Sequence, residues 1–391
     1  MTDATDTVPD RRIVFIAGSG RSGTSLMAGI LRELGFYVPQ PEVTADPTNP
    51  KGFAEPQWAV DYHARLLRVA RVHPSDARPS AWFETGRFLN RLRARTTLEG
   101  WLGEQLEISA DLVLKDPRLI WFLPIWQQCA TDLGARTSVI TMLRHPAEVV
   151  ASKERSYGGR LTSTSRTAGW LNLMFYTERS TRDANRTFVR YGDLLEDWTS
   201  VVADIGDRLN QPVIIGASSA AMRAAHHFVD PGLRRSVSGW DDLGVPPRVR
   251  ELADEVSTAL DRLADDPSDL AAQQRMDAAR IDYAALYEEA EGIALSSILA
   301  AGPPNARRRP DGQPVPDPQG TDPVTDDLLE SDDEPSSPDG ASTSGSPTSA
   351  VPRRAIDRFV HKIPHRYRER IPVGLRSKLR RDGGQAEPED R

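Results

Sequence analysis

The residues that most narrow what this chain can become are Ile13-Val14-Phe15-Ile16-Ala17-Gly18-Ser19-Gly20-Arg21-Ser22-Gly23-Thr24-Ser25, followed directly by Leu26-Met27-Ala28-Gly29-Ile30-Leu31. An unbroken apolar run of this kind reads as a buried strand. The glycines let the backbone turn so that successive N–H groups point into one hollow. The amphipathic helix that follows, expected to end near Gly35, aims the positive end of its dipole into the same hollow. The stretch reads as an anion cradle, against the plainer alternative of a strand–turn–helix whose glycines serve packing. Gly18 to Gly23 and the two hydroxyl residues after them have the spacing of a phosphate-binding loop, with one departure. Thr24 stands where the nucleotide-hydrolysing form has lysine, and the loop's cation is Arg21.

Further strands are expected at Leu112-Val113-Leu114, Thr137 to Leu143 and Thr187 to Tyr191, with helical patterns between them. This alternation predicts an α/β fold, a P-loop-type parallel sheet flanked by helices. Each strand ends in a polar motif: the glycine loop, Lys115-Asp116-Pro117-Arg118, Arg144-His145-Pro146 and Tyr191-Gly192-Asp193. Ligands of open parallel sheets bind at that edge, so the four motifs are expected to converge. A helix begins near Pro56, whose missing N–H suits a first turn, and residues 60–105 are helical with a break at His73 to Ser80. Residues 56–110 and 153–185 are expected to wall an acceptor pocket.

Leu252, Val256, Leu260 and Leu263 recur at helix spacing within 247–301. The organisation expected is therefore a frayed segment at 1–11 and one α/β domain at 12–301 with a helical C-terminal part. Residues 302–350, loaded with Pro, Gly, Ser, Thr and Asp, read as a disordered acidic linker. Residues 351–391 form a basic amphipathic tail in which Phe359, Val360, Ile363 and Leu375 are interleaved with cations. That tail suits peripheral contact with an anionic membrane surface through 351–381; a solvated tail is the plain alternative.

The net charge of −7 argues against nucleic acid as a partner. The single cysteine, Cys129, allows no internal disulfide and fits a reducing compartment. The first residues are acidic and polar, unlike a signal peptide, and no apolar run approaches membrane-spanning length. A cytoplasmic protein is expected, with peripheral contact at the inner membrane face as the role open to the tail. No Cys/His cluster has metal-ligand spacing. Two chemistries compete for the loop. Phosphoryl transfer normally wants a loop lysine and a carboxylate-held magnesium ion, and Asp116, the nearest carboxylate, is flanked by cations. A sulfuryl group carries less charge, so cations and backbone donors without a metal suit it better.

Gly18 to Ser25 resembles the 5′-phosphosulfate loop of sulfotransferases that use 3′-phosphoadenosine 5′-phosphosulfate, in an arginine form similar to that of carbohydrate-directed members. The resemblance implies that Gly20, Arg21, Ser22, Gly23, Thr24 and Ser25 bind the cofactor, with no metal. Arg144-His145-Pro146-Ala147-Glu148-Val149-Val150-Ala151-Ser152 resembles the family's second motif, which implies that Arg144 and Ser152 hold the 3′-phosphate. An arginine fork plus a hydroxyl two turns along one helix can grip a single phosphate. Tyr191 lies in a segment similar to the one beside the adenine, with Gly192 where glutamate is usual.

Pro50-Lys51-Gly52-Phe53-Ala54-Glu55 resembles the segment that bears the catalytic glutamate of several carbohydrate sulfotransferases. It implies Glu55 as the base; a first-turn glutamate serving the helix dipole is the other reading. Arg21 would stabilise charge on the leaving oxygen. Lys51, Lys115 and Arg118 are candidates for sulfate or acceptor contact, though Lys115 to Arg118 reads equally as an internal ion-pair network. His63, His73 and His145 are bases in principle, without a matching partner motif. Arg234-Arg235 stands where a late cofactor clamp is common, or is a solvated pair. The resemblance covers roughly residues 12–210. It implies sulfuryl transfer to a hydroxyl of a carbohydrate or glycolipid-like acceptor. The alternatives are a small-molecule kinase and a non-catalytic nucleotide-binding scaffold.

Overall fold

The computed structural model describes residues 10–89, 93–159, 161–229 and 239–301. The expectations for residues 1–9, for Arg234 and Arg235, for the linker at 302–350 and for the tail at 351–391 fall outside these residues. In chain order the elements are β1 (Arg12–Ala17), α1 (Thr24–Leu34), α2 (Gln57–Ala70), α3 (Ala81–Leu89), α4 (Ala94–Ile108), β2 (Asp111–Lys115), a 3-10 turn (Leu119–Phe122), α5 (Leu123–Asp132), β3 (Arg136–Leu143), α6 (Pro146–Tyr157) and α7 (Ser163–Ser180). Then come β4 (Asn185–Arg190), α8 (Tyr191–Glu196), α9 (Trp198–Arg208), α10 (Pro212–Ile215), α11 (Ser219–Phe228), α12 (Pro247–Asp265) and α13 (Leu270–Ala301).

The sheet has the order β2-β1-β3-β4, with every neighbouring pair parallel. Side chains alternate across a strand, and both faces of this sheet are covered. Ile13, Phe15 and Ala17 of β1 join Leu112, Leu114 and Val139 in a core built with α2, α4, α5, α7, α12 and α13. Val14 and Ile16 join Val113, Ile140 and Met142 in a second core built with α1 and α9. Double burial is why β1 reads as a continuous apolar run instead of an alternating one. The expected α/β class with a parallel sheet between helices is the one observed. Pro56 differs slightly from expectation: it caps α2 from outside the first turn.

Leu252, Val256, Leu260 and Leu263 are all buried in the first core, so α12 is part of the sheet's cover. A buried ion pair ties it there. Arg186 of β4 reaches Glu178 Oε1 of α7 at 3.3 Å and donates from Nη2 to the Pro267 carbonyl, between α12 and α13, at 2.9 Å. Arg182 adds contacts of 2.6 Å to Glu178 and 2.8 Å to Asp277 of α13. No described helix is long and apolar enough to cross a membrane.

Removing one member of a buried pair strands the other's charge, which costs about 3–5 kcal/mol. Glu178→Leu is therefore expected to lower the urea unfolding midpoint strongly without changing the slope of the transition. A shift comparable with that of an exposed substitution would show that the pair does not anchor α12 and α13.

Candidate functional site

From β1 the chain crosses to β2 on one side, whereas β3 continues to β4 on the other. Connections that leave neighbouring strands in opposite directions open a crevice at their carboxyl ends. The glycine loop enters that crevice from β1 and Arg144 enters it from β3. Gly18 has φ +123°, and a Cβ there would lie 2.7 Å from the Met142 carbonyl oxygen of β3. Gly23 has φ +90°, and a Cβ there would lie 2.3 Å from the Tyr191 ring. Both positions need glycine, for backbone conformation and for space. No side chain caps α1 at Gly23, which suits its first N–H groups to a bound anion.

Arg21 adopts φ +75° and donates from Nε to Ser152 Oγ at 3.1 Å. Arg144 donates from Nη1 to the Arg21 carbonyl at 3.1 Å and from Nε to Glu148 at 2.8 Å. Its guanidinium lies 4.9 Å from the centre of the Tyr191 ring. Loop, Arg144, Ser152 and Tyr191 are thus one contiguous assembly. Pro146 opens α6, and the His145 side chain accepts from the Ala147 N–H at 3.3 Å, so the helix that carries Ser152 starts directly beside the loop.

At the end of β2, Lys115 donates from Nζ to Ser25 Oγ at 3.0 Å, to the Phe53 carbonyl at 3.3 Å and to Glu55 Oε1. Arg118 stands 3.7 Å from Glu55 Oε2 and donates from Nε to Asp116 Oδ1 at 2.8 Å. Asp116 meets His63 Nδ1 at 2.7 Å, while Trp126 Nε1 donates to His63 Nε2 at 2.8 Å. An indole N–H can only donate, so His63 Nε2 is the bare nitrogen and Nδ1 carries the proton shared with Asp116. His63 is wholly buried, with both nitrogens engaged, and has no nitrogen left to act as a base. Lys115 to Arg118 form the expected ion-pair network, and Lys115, Pro117 and Arg118 also line the crevice.

The cavity over these groups encloses about 690 Å³ and is lined by five cations, Arg21, Lys115, Arg118, Arg144 and Arg155, against one carboxylate, Glu55. Gly20, Gly23, Thr24, Ser25, Ser152 and Tyr191 also line it. All four strand ends contribute, as expected of an open parallel sheet. A neighbouring cavity of about 460 Å³ shares Arg144 and Tyr191 but is rimmed by Glu148, Asp193, Asp254 and Asp261. That rim disfavours an anion, so the cation-lined cavity is the candidate site.

Two residues of the expected set do not line this cavity. Ser22 is buried, with its N–H on the Ser19 carbonyl at 3.1 Å. Lys51, expected to approach a sulfate or an acceptor, instead donates to the Phe228 carbonyl and lies 5.4 Å from the centre of the Phe228 ring. The packing of α11 against α1 brings Phe228 there, and nothing local to Lys51 signals it. Arg155 and Lys153 escaped the sequence reading. Arg155 follows Ser152 by three positions and so shares its helix face. Among the described residues no group of three or more His, Cys, Asp or Glu is placed to hold a metal ion.

No family model and no curated protein matches this chain. Two solved structures to which it is similar are the sulfotransferase domain of the olefin synthase of Synechococcus PCC 7002 and sulfotransferase STF1 of Mycobacterium tuberculosis H37Rv. The first is 17% identical and covers 63% of this chain and 88% of its own, at a TM-score of 0.34. The second is 15% identical and covers 62% and 76%, also at 0.34. Likeness of that depth leaves the chemistry to the residues in the crevice.

Asp116 also makes the site's acid limit testable. Burial opposes its ionisation, but the His63 hydrogen bond and the charge of Arg118 outweigh burial and hold the carboxyl below its ordinary value. A depressed carboxylate contributes stability above its unfolded value of about 3.9, and that contribution is lost as pH falls toward the folded value. The thermal stability of the wild type is expected to fall as pH drops below about 4. Asp116→Asn should be less stable at pH 7 yet lose less on acidification, and equal slopes in the two proteins would refute the assignment.

Proposed function

We propose that this chain is a sulfotransferase that moves the sulfuryl group of 3′-phosphoadenosine 5′-phosphosulfate to a hydroxyl by in-line displacement. The observation that carries the reading is the contact of two separate anion grips in one cation-lined crevice. The glycine loop is one and the Arg144–Ser152 pair is the other, and Arg21 hydrogen-bonds across them. A nucleotide bearing anionic groups at both its 3′ and 5′ positions needs two grips, whereas a 5′-phosphorylated nucleotide needs one. The donor set fits the cofactor: backbone N–H groups, guanidinium forks, hydroxyls and one aromatic ring.

When bound, the cofactor supplies an activated sulfuryl group and a phosphate leaving group. On the protein's side, the loop N–H groups and Arg21 hold negative charge at the 5′ end. Arg144 and Ser152 hold the 3′-phosphate, with Tyr191 beside the adenine. Lys115 replaces the lysine absent from the loop, since its ammonium rests on Ser25 from the adjacent strand. Glu55 is the base: Oε1 is held by Lys115, whereas Oε2, 3.7 Å from Arg118, is left to accept the hydroxyl proton. Thr48 and Asn49 line the cavity beside Phe53. Polar groups and an aromatic residue in one lining suit a sugar, which supports a carbohydrate or glycolipid-like acceptor.

Calorimetry separates this reading from a kinase. Adenosine 3′,5′-bisphosphate is expected to bind more tightly than ATP with magnesium, and the reverse order would overturn the reading. Arg144→Ala should weaken the bisphosphate by about ten- to a hundredfold, the range for a charge-assisted contact, and weaken adenosine 5′-monophosphate far less. Equal losses would remove Arg144 from the 3′-phosphate. Glu55→Gln is expected to cut turnover of labelled sulfuryl donor on a panel of sugar and glycolipid acceptors by about 10²–10⁴-fold, with bisphosphate binding intact. Undiminished turnover would end its role as base.

A further inference from the structure

Lys153 follows Ser152 on α6 and is buried. Its Nζ donates at 3.0 Å to Oγ of Ser19, a wholly buried residue of the glycine loop. Helical lysines ordinarily extend their ammonium to water, and a buried one ordinarily faces a carboxylate. The carboxylates of its own helix, and Asp254 of α12, which packs on α6, are engaged with other groups. On α6, Glu148 holds Arg144 and Glu154 accepts from Ser163 Oγ. On α12, Asp254 accepts from Trp240 Nε1 at 2.8 Å and stands 3.3 Å from His145. The charged group that acts on Lys153 is a cation, Arg166 of α7, which donates to the Gly158 carbonyl at 2.6 Å. Burial, together with repulsion from Arg166, pushes the Lys153 ammonium down to about 8.

We propose that Lys153 is a positioning residue and the buried counter-charge of the loop: it holds Ser19 in place, and the partner that neutralises it is the anion occupying the loop. Adjacent residues of α6 then grip the loop at two points, Ser152 through Arg21 and Lys153 through Ser19. The proposal deepens the sulfotransferase reading, on which it rests for the identity of the anion. It also has a consequence that simple bracing lacks. An anion in the loop favours the charged ammonium, so binding is steady below about pH 8 and takes up a proton above it. Between pH 7 and pH 9 the affinity of such an anion falls about tenfold.

The test is calorimetry of the full chain with adenosine 3′,5′-bisphosphate at pH 7, 8 and 9, using two buffers of different ionisation heat at pH 8. Inorganic pyrophosphate serves as a second probe that reports on the loop alone. The wild type is expected to lose about tenfold in affinity from pH 7 to pH 9 and to take up about half a proton at pH 8. Lys153→Arg, which stays charged, should hold its affinity to within about twofold over that range. Lys153→Met should bind about tenfold more weakly at pH 7 and show no decline. The ligand's own titration is common to all three proteins. A flat wild-type profile without proton uptake, or a decline retained in Lys153→Arg, overturns the proposal, and Lys153→Arg decides alone if Lys153→Met does not fold. Should pyrophosphate show the pattern while the bisphosphate fails to bind, the sulfotransferase reading falls and the counter-charge stands. If neither binds, both fall.

Discussion

The grip between the glycine loop and the beginning of α6 is the interaction on which the candidate site depends. Arg144 holds the Arg21 carbonyl, Ser152 takes the Arg21 side chain, and the Tyr191 ring fills the space that a Cβ on Gly23 would need. None of these contacts is available within a strand–loop–helix unit taken alone. They exist because β1 and β3 are parallel neighbours in register, from Arg12 opposite Arg136 to Ala17 opposite Thr141. Register therefore sets where the two anion grips stand relative to each other. Relative placement is what distinguishes a site for a doubly anionic nucleotide from two unrelated turns.

Charge in the crevice is arranged so that each nearby carboxylate restrains a cation without cancelling the whole. Glu148 orients Arg144, Asp116 orients Arg118, and Glu55 meets Lys115. Pairing of this kind keeps long side chains in place, which lowers the entropy lost when a ligand is bound. The balance lining the cavity remains strongly positive. In a poorly solvated space such an excess favours an anionic occupant far more than it would on an open surface.

Much of this was legible because it is local. β1 and β2 hold short dense apolar runs, β3 and β4 hold β-branched ones, each is followed by a polar motif, and the loop's spacing dictates its own turn. Convergence of the motifs follows from a rule about parallel sheets that needs no knowledge of the helices. What stayed hidden depends on contacts distant in sequence. Lys51 looked as available as Lys115, but Phe228, 177 positions away, takes its ammonium. His63 looked like a candidate base until Trp126 and Asp116 closed on its two nitrogens. Lys153 sits in a helix where a lysine reads as solvated, and only the packing of the loop over α6 reveals it as buried. The stretch from Asp197 to Phe228 folds into α9, α10 and α11, whose place against α1 is a tertiary fact.

Glu55 shows how pairing bears on chemistry. In the proposed reaction its carboxylate would take the acceptor's proton while Lys115 holds Oε1 and Arg118 stands 3.7 Å from Oε2. Lys115 touches both Glu55 and Ser25, so the two ends of the displacement share one ammonium. On that reading, a proton gained by Glu55 would loosen its hold on Lys115 and direct more of that charge toward the loop, where negative charge would build on the leaving group. Proton removal and leaving-group stabilisation would then be coupled through a single side chain, a lysine that reaches the loop from β2 instead of standing in it.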